Sequence, residues 1–324
     1  MLPSAAILRL FREQDGFVSG EMISRELHVS RTAIWKQINA LRKAGYVIEA
    51  VPSRGYQLLS APDLLSSAEI AVQLDAVVMG SRIVCLEQTA STNGDAFRLA
   101  EQGAAEGTVV LADTQSGGKG RMGRVWSSPP GVNLYCSIIL RPAIMPYEAP
   151  QLTFLSAVAV ARSIERISAI VPEIKWPNDV LIKGQKVAGL LNEMSAETDA
   201  VNFVILGIGV NLNMTAGQFP DDLRHPATSI LLESGRPVGR AGFCAIMLNE
   251  LDRLYADFRT HGFGPVREEW QRRCNAHGRE LSVSDGGSEV VRGMFAGIDG
   301  SGALLVSGAD GAISKILSGD VRVL

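Results

Sequence analysis

Hydrophobic positions in the first sixty residues fall on helical stripes. Ile7, Leu8, Leu10 and Phe11 make one stripe, and Met22, Ile23 and Leu27 make a second. A third helix is predicted from Ser30 to Lys43. Ile34, Ile38 and Leu41 form its apolar i, i+4, i+7 face, with Arg31, Thr32, Trp35, Lys36 and Lys43 around the other side. A short helix, a short turn and a helix N-capped by Ser30 predict a helix-turn-helix, whose second helix enters the DNA major groove. Beyond Gly45 two strands, Tyr46–Val51 and Tyr56–Leu59, bracket Pro52-Ser-Arg-Gly55. This is a wing with Arg54 near its tip, where it can meet phosphate or the minor groove.

From residue 82 onward, strand-like runs at 82–86, 108–112, 133–140, near 174, 180–182, 187–194 and 203–210 alternate with helical runs near 95–102, 149–167 and 240–260. They predict an α+β domain built on a mixed sheet with its helices on one side. From about Ala276 the runs shorten to 280–283, 289–298, 303–306 and 313–317, separated by Asp-Gly, Gly-Gly and Ser-Gly turns. That pattern predicts a small antiparallel barrel. Ser60-Ala-Pro-Asp63 reads as a linker, so the expected domains are 1–62, 63–275 and 276–324.

With 324 residues, 46% hydrophobic and 20% charged, the chain can bury the cores of two or three domains. The net charge of −3 is uneven: residues 1–60 carry eight Lys/Arg against five Asp/Glu, and the rest is acidic. A basic N-terminal unit is the part expected to meet DNA. Cys85, Cys136, Cys244 and Cys274 are scattered, with few histidines to join them, which argues against a zinc site or a disulfide framework. No apolar run is long enough for a membrane span and no signal segment opens the chain, so a cytoplasmic protein is expected.

The chemistry is concentrated in Thr114-Gln-Ser-Gly-Gly-Lys-Gly-Arg-Met-Gly-Arg-Val-Trp126. Four glycines let backbone amides turn toward an anion, and Lys119, Arg121 and Arg124 can neutralise a polyphosphate. It is no Walker loop, because Ser or Thr does not follow Gly-Lys. A second segment, Lys175-Trp-Pro-Asn-Asp179, precedes Lys186-Val-Ala-Gly189, where a small residue lets a ligand approach a strand.

Together these segments resemble the biotin protein ligases, including those that double as repressors of biotin synthesis. Their pattern is Gly-Arg-Gly-Arg-x-Gly-Arg, then Lys-Trp-Pro-Asn-Asp, then a Lys before a hydrophobic strand. This chain departs at Lys119, where Arg is usual; Lys keeps the charge and loses the bidentate fork. Ser91-Thr-Asn93, Gly207-Ile-Gly-Val-Asn-Leu-Asn213 and Ala227-Thr-Ser-Ile230 match further family segments, so the likeness spans nearly the whole chain.

The resemblance implies a winged helix-turn-helix, a central mixed-sheet ligase domain and a C-terminal SH3-like barrel. It implies an enzyme that makes biotinyl-5'-AMP from biotin and ATP with Mg²⁺, then transfers biotin to a lysine of the biotin carboxyl carrier protein of acetyl-CoA carboxylase. Arg121 and Lys186 are the expected catalytic cations. Biotin is expected at Ser91, Thr92, Asn93, Gln115, Gly118, Lys119, Gly120, Arg121, Lys186, Gly189 and Gly207. ATP is expected at Arg121, Arg124, Trp126, Lys175, Asn178 and Asn211, with Asp179 as a candidate metal ligand. Trp126 either stacks on adenine or packs as a core aromatic, and Lys175 either meets phosphate or is a solvated charge. Operator DNA is expected at Ser30, Arg31, Thr32, Trp35, Lys36 and Arg54, bound by a homodimer that forms in the adenylate-bound state. A lipoate or octanoate ligase shares the central fold, and a biotin-sensing repressor without turnover remains an alternative.

Overall fold

The computed structural model describes residues 3–223, 225–285 and 288–324. It divides into two compact units, residues 1–74 with 239–245, and residues 75–238 with 246–324.

In the first unit α1 (Pro3–Glu13), α2 (Gly20–Leu27) and α3 (Arg31–Lys43) precede the hairpin of β1 (Val47–Val51) and β2 (Gly55–Ser60), followed by α4 (Ser67–Ala71). Ser19 and Ser30 cap α2 and α3 by accepting from Met22 N and Ala33 N. His28, in the left-handed region at φ 54°, ends α2 and makes the turn. Ile7, Leu8, Ile23, Ile34, Ile38 and Leu41 meet in one core, as the stripes require. The unit runs beyond the expected boundary at residue 62 because α4 packs on α1. Ile70 is fully buried, and the Glu69 carboxylate accepts from Arg12 and from the Tyr46 hydroxyl at 2.5 Å each. Burial, reinforced by that carboxylate, pushes the Tyr46 phenol well above its ordinary range. Arg240 belongs to this unit as well, gripping Asp63 through its side chain at 3.0 Å.

The second unit is built on a seven-stranded mixed sheet, ordered β3-β4-β5-β9-β8-β7-β6. Its strands and first helices are β3 (Arg82–Thr89), α5 (Thr92–Glu101), β4 (Thr108–Gln115), β5 (Leu134–Leu140), α6 (Gln151–Ser168), β6 (Glu173–Lys175), β7 (Asp179–Ile182), β8 (Gln185–Ala196) and β9 (Val201–Val210). Then come α7 (Ile230–Ser234), α8 (Arg240–His261), which belongs to this unit from Ile246 onward, and α9 (Gly264–Arg273). Only β3 and β4 are parallel, with α5 as their crossover, so both strands end at the same edge, where Thr89 pairs with Gln115.

The helices do not share one side. Ala96 and Ala100 of α5 pack on Phe203 and Ile205, whereas Phe154 of α6 shares a cavity wall with Leu190, Asn192 and Val204. Alternation along a strand places these two sets on opposite faces. The expectation of one-sided helices fails because α6 is apolar around most of its circumference. A helix buried on nearly all sides needs the sheet beneath it and α9 against it.

The C-terminal part is an antiparallel five-stranded sheet, ordered β13-β12-β11-β10-β14. Its strands are β10 (Glu280–Asp285), β11 (Ser288–Ile298), β12 (Leu304–Ser307), β13 (Ile313–Ile316) and β14 (Asp320–Val323), the last not predicted. The expected turn at Gly286–Gly287 lies outside the described residues. This sheet clusters with the central one because it packs directly on it: Trp176 Nε1 donates to Gly302 O at 3.1 Å, and Gln151 Nε2 to Gly300 O at 2.8 Å. Among the described residues no helix is long and apolar enough to cross a membrane.

Candidate ligand-binding and catalytic site

The parallel pair decides where a site can form. The first residues of α5, which follow β3, and the last of β4 are brought together where both strands end, the usual place for a ligand crevice in an α/β unit. A cavity of about 680 Å³ opens there, large enough for a drug-sized ligand. Every ligand-site residue expected from the sequence lines it except Gly118.

One end is neutral and rich in hydrogen-bonding groups. Ser91 occupies the N-cap position of α5, yet its hydroxyl makes no cap hydrogen bond. Gln115 does that work from β4, its Oε1 accepting from Thr92 N at 2.9 Å. Gln115 Nε2 in turn donates to Ser128 Oγ at 3.0 Å. The Ser91 hydroxyl is thereby left for a ligand, which a plain helix cap would not allow. The Asn93 amide is committed to the protein, donating to Leu191 O and to Glu193 Oε2 at 3.1 and 2.7 Å. It needs Gly207, where a Cβ would stand 2.3 Å from Asn93 Oδ1. Gly207 therefore makes room for Asn93, where the sequence pointed to room for biotin.

The loop between β4 and β5 is a hairpin folded over the cavity. Gly117 N donates to Ala90 O at 2.8 Å, Gly120 N to Arg124 O at 2.7 Å and Trp126 N to Gly118 O at 2.9 Å. Gly118 must be glycine, since a Cβ would lie 2.5 Å from Trp126 O. The Trp126 ring lies over Gly189 and Gly209, where added Cβ atoms would come within 2.8 and 2.6 Å of it. Gly209 was not singled out in the sequence, although it shares the Gly-x-Gly-x-Asn strand. Lys119 is exposed on the loop.

The other end is cationic. Arg121 lines the cavity, and among the described residues its guanidinium makes no hydrogen bond or ion pair. Burial pulls its pKa down, opposed by the carboxylates of Asp179 and Asp320. Lys175 is lowered for the same reason, so it is no freely solvated charge. Lys186 Nζ stands 2.6 Å from Asp179 Oδ1 and 5.3 Å from the Trp126 ring centroid. His225, which the sequence reading missed, is held below its ordinary pKa by partial burial and by the Lys175 charge.

Three of the expected site residues line the cavity and already have protein partners. Asn211 is committed to backbone and neighbour, its Nδ2 donating to Thr228 O at 3.1 Å and its Oδ1 accepting from Asn133 at 3.3 Å. Asn178 Nδ2 is committed to Leu190 O at 2.6 Å. Both amides brace strand ends, so neither has its full hydrogen-bonding capacity left to read a purine. Asp179 faces Lys186, and among the described residues no three His, Cys, Asp or Glu side chains converge. Among the described residues, side chains therefore form no ready-made cage for Mg²⁺. An ion arriving with a nucleotide would rest mainly on phosphate oxygens.

Asp320 of β14, also unforeseen, receives Arg124 through both carboxylate oxygens at 2.9 and 2.6 Å. Burial raises its pKa, but the guanidinium outweighs this and holds the carboxyl below its ordinary range. A depressed pKa means that the pair's stabilisation is present at neutral pH and is lost only as pH falls through that lowered value. Both partners are over a third exposed, so Asp320→Asn should change stability by less than ~1 kcal/mol. It should nonetheless free the loop, seen as faster proteolysis within residues 116–128. Unchanged cleavage would remove the pair from any role in holding the loop.

On the first unit, Arg31, Thr32, Trp35 and Lys36 are exposed on α3, with Trp35 57% accessible. Arg54, at the tip of the β1–β2 hairpin, lies 4.2 Å from the Phe17 ring centroid.

Three family models match in order: an HTH domain at residues 4–57, the biotin/lipoate A/B protein ligase family at 85–211, and a biotin protein ligase C-terminal domain at 276–324. The bifunctional ligase/repressor BirA of Bacillus subtilis (strain 168) is 42% identical over 322 residues, 98% of this chain and 97% of that one. Its namesake of Escherichia coli (strain K12) is 31% identical over 95% of this chain and 93% of its own length. Among solved structures, the biotin protein ligase from Aquifex aeolicus in complex with biotin and ATP aligns with a TM-score of 0.65 at 28% identity, covering 75% of this chain and all of that one. A helix-turn-helix, a mixed-sheet core with a cationic glycine loop and an antiparallel C-terminal sheet, matched almost end to end by such relatives, mean that the chain belongs to the biotin protein ligases, in their bifunctional ligase/repressor branch.

Proposed function

We propose that this protein activates biotin with ATP as biotinyl-5'-adenylate, transfers it to a lysine of a biotin carboxyl carrier protein, and represses transcription in response to biotin. The observation that carries the reading is Arg121, a partly buried cation with no partner among the described residues, lining the same cavity as Lys186 and the neutral Thr92–Gln115 pair. Burying an unpaired guanidinium is costly, and an anionic ligand would offset that cost.

In the first step a carboxylate oxygen attacks the α-phosphorus and pyrophosphate leaves. Two anions must approach, and the lining cations Lys119, Arg121, Arg124, Lys175 and Lys186 outnumber the lining carboxylates Asp179, Asp222 and Asp320, which leaves the site net positive for that encounter. Lys186 has three N–H donors, so it can keep Asp179 and still reach the ligand. Adenine would stack on Trp126. In the second step a lysine amine attacks the acyl carbon, AMP leaves with the bridging oxygen, and the amine loses its proton. The hairpin loop over the cavity would shield the mixed anhydride from water.

The test is the intact mass of a biotin carboxyl carrier domain after incubation with the protein, Mg-ATP and equimolar biotin and lipoate. A biotin-sized gain that is absent from a carrier Lys→Arg variant is expected. A lipoyl gain would move the protein to the sister activity, and no gain would favour a repressor without turnover.

For repression, a homodimer favoured by bound adenylate would present two α3 helices to a palindromic operator, and carrier would compete with the second subunit. Arg31→Ala should weaken binding to DNA selected by the wild-type protein about tenfold or more and lower the salt slope by about one. Carrier labelling should not change, because Arg31 lies outside the ligase unit. Equal DNA affinity would remove Arg31 from the interface.

A further inference from the structure

β5 is buried at every position, yet it carries a serine at its centre. Ser137, 0% exposed, pairs in register with Gly207 of β9, and the Asn93 amide sits against that glycine. Its Oγ lies 2.6 Å from Asn93 Oδ1 and 2.8 Å from Thr92 Oγ1. One hydroxyl proton cannot serve both neighbours, and the surrounding groups decide which receives it.

Asn93 Nδ2 donates to the Leu191 carbonyl, which can only accept, at 3.1 Å, and to Glu193 Oε2 at 2.7 Å. The amide orientation is therefore determined, and Asn93 Oδ1 points at Ser137. Two oxygens at 2.6 Å require a proton between them, and the amide oxygen has none. Ser137 must donate to Asn93. The 2.8 Å contact to Thr92 then needs the Thr92 proton, which leaves Thr92 Oγ1 with lone pairs only toward the cavity. Gln115 Oε1, 3.2 Å from Thr92 Oγ1, already accepts from Thr92 N at 2.9 Å and loses the competition for that hydroxyl proton on distance.

We propose that Ser137 is a positioning residue that sets the hydrogen-bond polarity of the site. Through Thr92 it presents a lone-pair acceptor to a ligand N–H, and so it selects a cyclic urea over ring analogues that place an oxygen there. This rests on the reading that the cavity takes biotin. The chain of contacts runs from Glu193 through Asn93 and Ser137 to Thr92 and has no free proton, so the acceptor is enforced by buried groups that the ligand does not touch.

The test uses the full-length protein and Ser137→Ala, with biotin and with the two cyclic carbamates in which one ureido N–H is replaced by oxygen. For the wild type, one carbamate should bind about a hundredfold more weakly than biotin, because two acceptors would then face each other. In Ser137→Ala the Thr92 hydroxyl is free to turn and donate. The biotin KM should rise at least tenfold, the KM for ATP should stay within about twofold, and the discrimination against that carbamate should fall to about tenfold or less. Direct titration of each ligand gives the same ratio without turnover, and a thermal melt reports whether the variant is folded. If both ligands weaken equally, Ser137 only packs the strand and the proposal is wrong. An unchanged ratio with unchanged affinities overturns it too. If the wild type binds no biotin at all, the functional reading fails first, and that outcome is distinguishable from either of these.

Discussion

Arg121→Gln is expected to lower kcat/KM for biotin in ATP–pyrophosphate exchange about a hundredfold, which is about 2.7 kcal/mol of lost transition-state stabilisation. The reason is the isolation of this guanidinium. It lines the cavity with no hydrogen bond or ion pair among the described residues, so glutamine takes nothing from the protein except a charge reserved for ligand. Its burial works against the charged form, and the nearby carboxylates of Asp179 and Asp320 oppose that effect. Removing it should leave the melting temperature unchanged or slightly higher, since relieving an unpaired buried charge costs no native contact. Activity and stability would then move in different directions. A large fall in melting temperature accompanying the lost activity would instead make Arg121 a structural residue.

Lys186→Met should be as damaging to adenylate formation, and it should also destabilise the ligase unit. Lys186 Nζ is 2.6 Å from Asp179 Oδ1, and both side chains are mostly shielded, at 27% and 18% exposure. Methionine leaves that carboxylate oxygen without a partner, at a cost of about 1–3 kcal/mol. Adding Asp179→Asn removes the orphaned charge and should recover most of the lost stability while activity stays about a hundredfold or more below wild type. Denaturant melts and pyrophosphate exchange on the single and double variants separate the two contributions. Recovery of activity along with stability would show that Lys186 acts only by holding Asp179.

Much of the architecture was legible because it is written in local periodicity. The stripes of α1, α2 and α3 became one core, and the expected cap at Ser30 formed. The strands of the mixed sheet were recognisable as apolar runs. Short or masked signals were lost: α4, α7 and β14 are four or five residues long, too brief for a period to show. α9 is strongly polar, and its anchors are the isolated Val266 and Trp270. The face on which α6 lies was misjudged because hydrophobicity on all sides of a helix says that it is covered, not from which direction.

The cationic loop, Lys175-Trp-Pro-Asn-Asp179 and Lys186 stood out because charged and glycine-rich residues between apolar strands are locally anomalous. Ser137 left a fainter signal, one hydroxyl in the fully buried run Leu134–Leu140. Asp320 and His225 left none, since each is an ordinary surface residue type until folding brings it to the cavity.

The sequence by itself determined the helix-turn-helix, the strand-rich centre, the C-terminal turns and the residues able to hold an anion, because periodicity, capping and side-chain chemistry act over a few neighbouring positions. Only the tertiary structure decided which of those residues are free to act. Asn211 was bound to Thr228, Asn93 was turned onto Gly207, Gln115 was made the cap of α5, and Arg121 was left without a partner. A hydrogen bond or ion pair depends on which groups from distant segments arrive within about 3 Å, and that is settled by the packing of the sheet and not by any local stretch of chain.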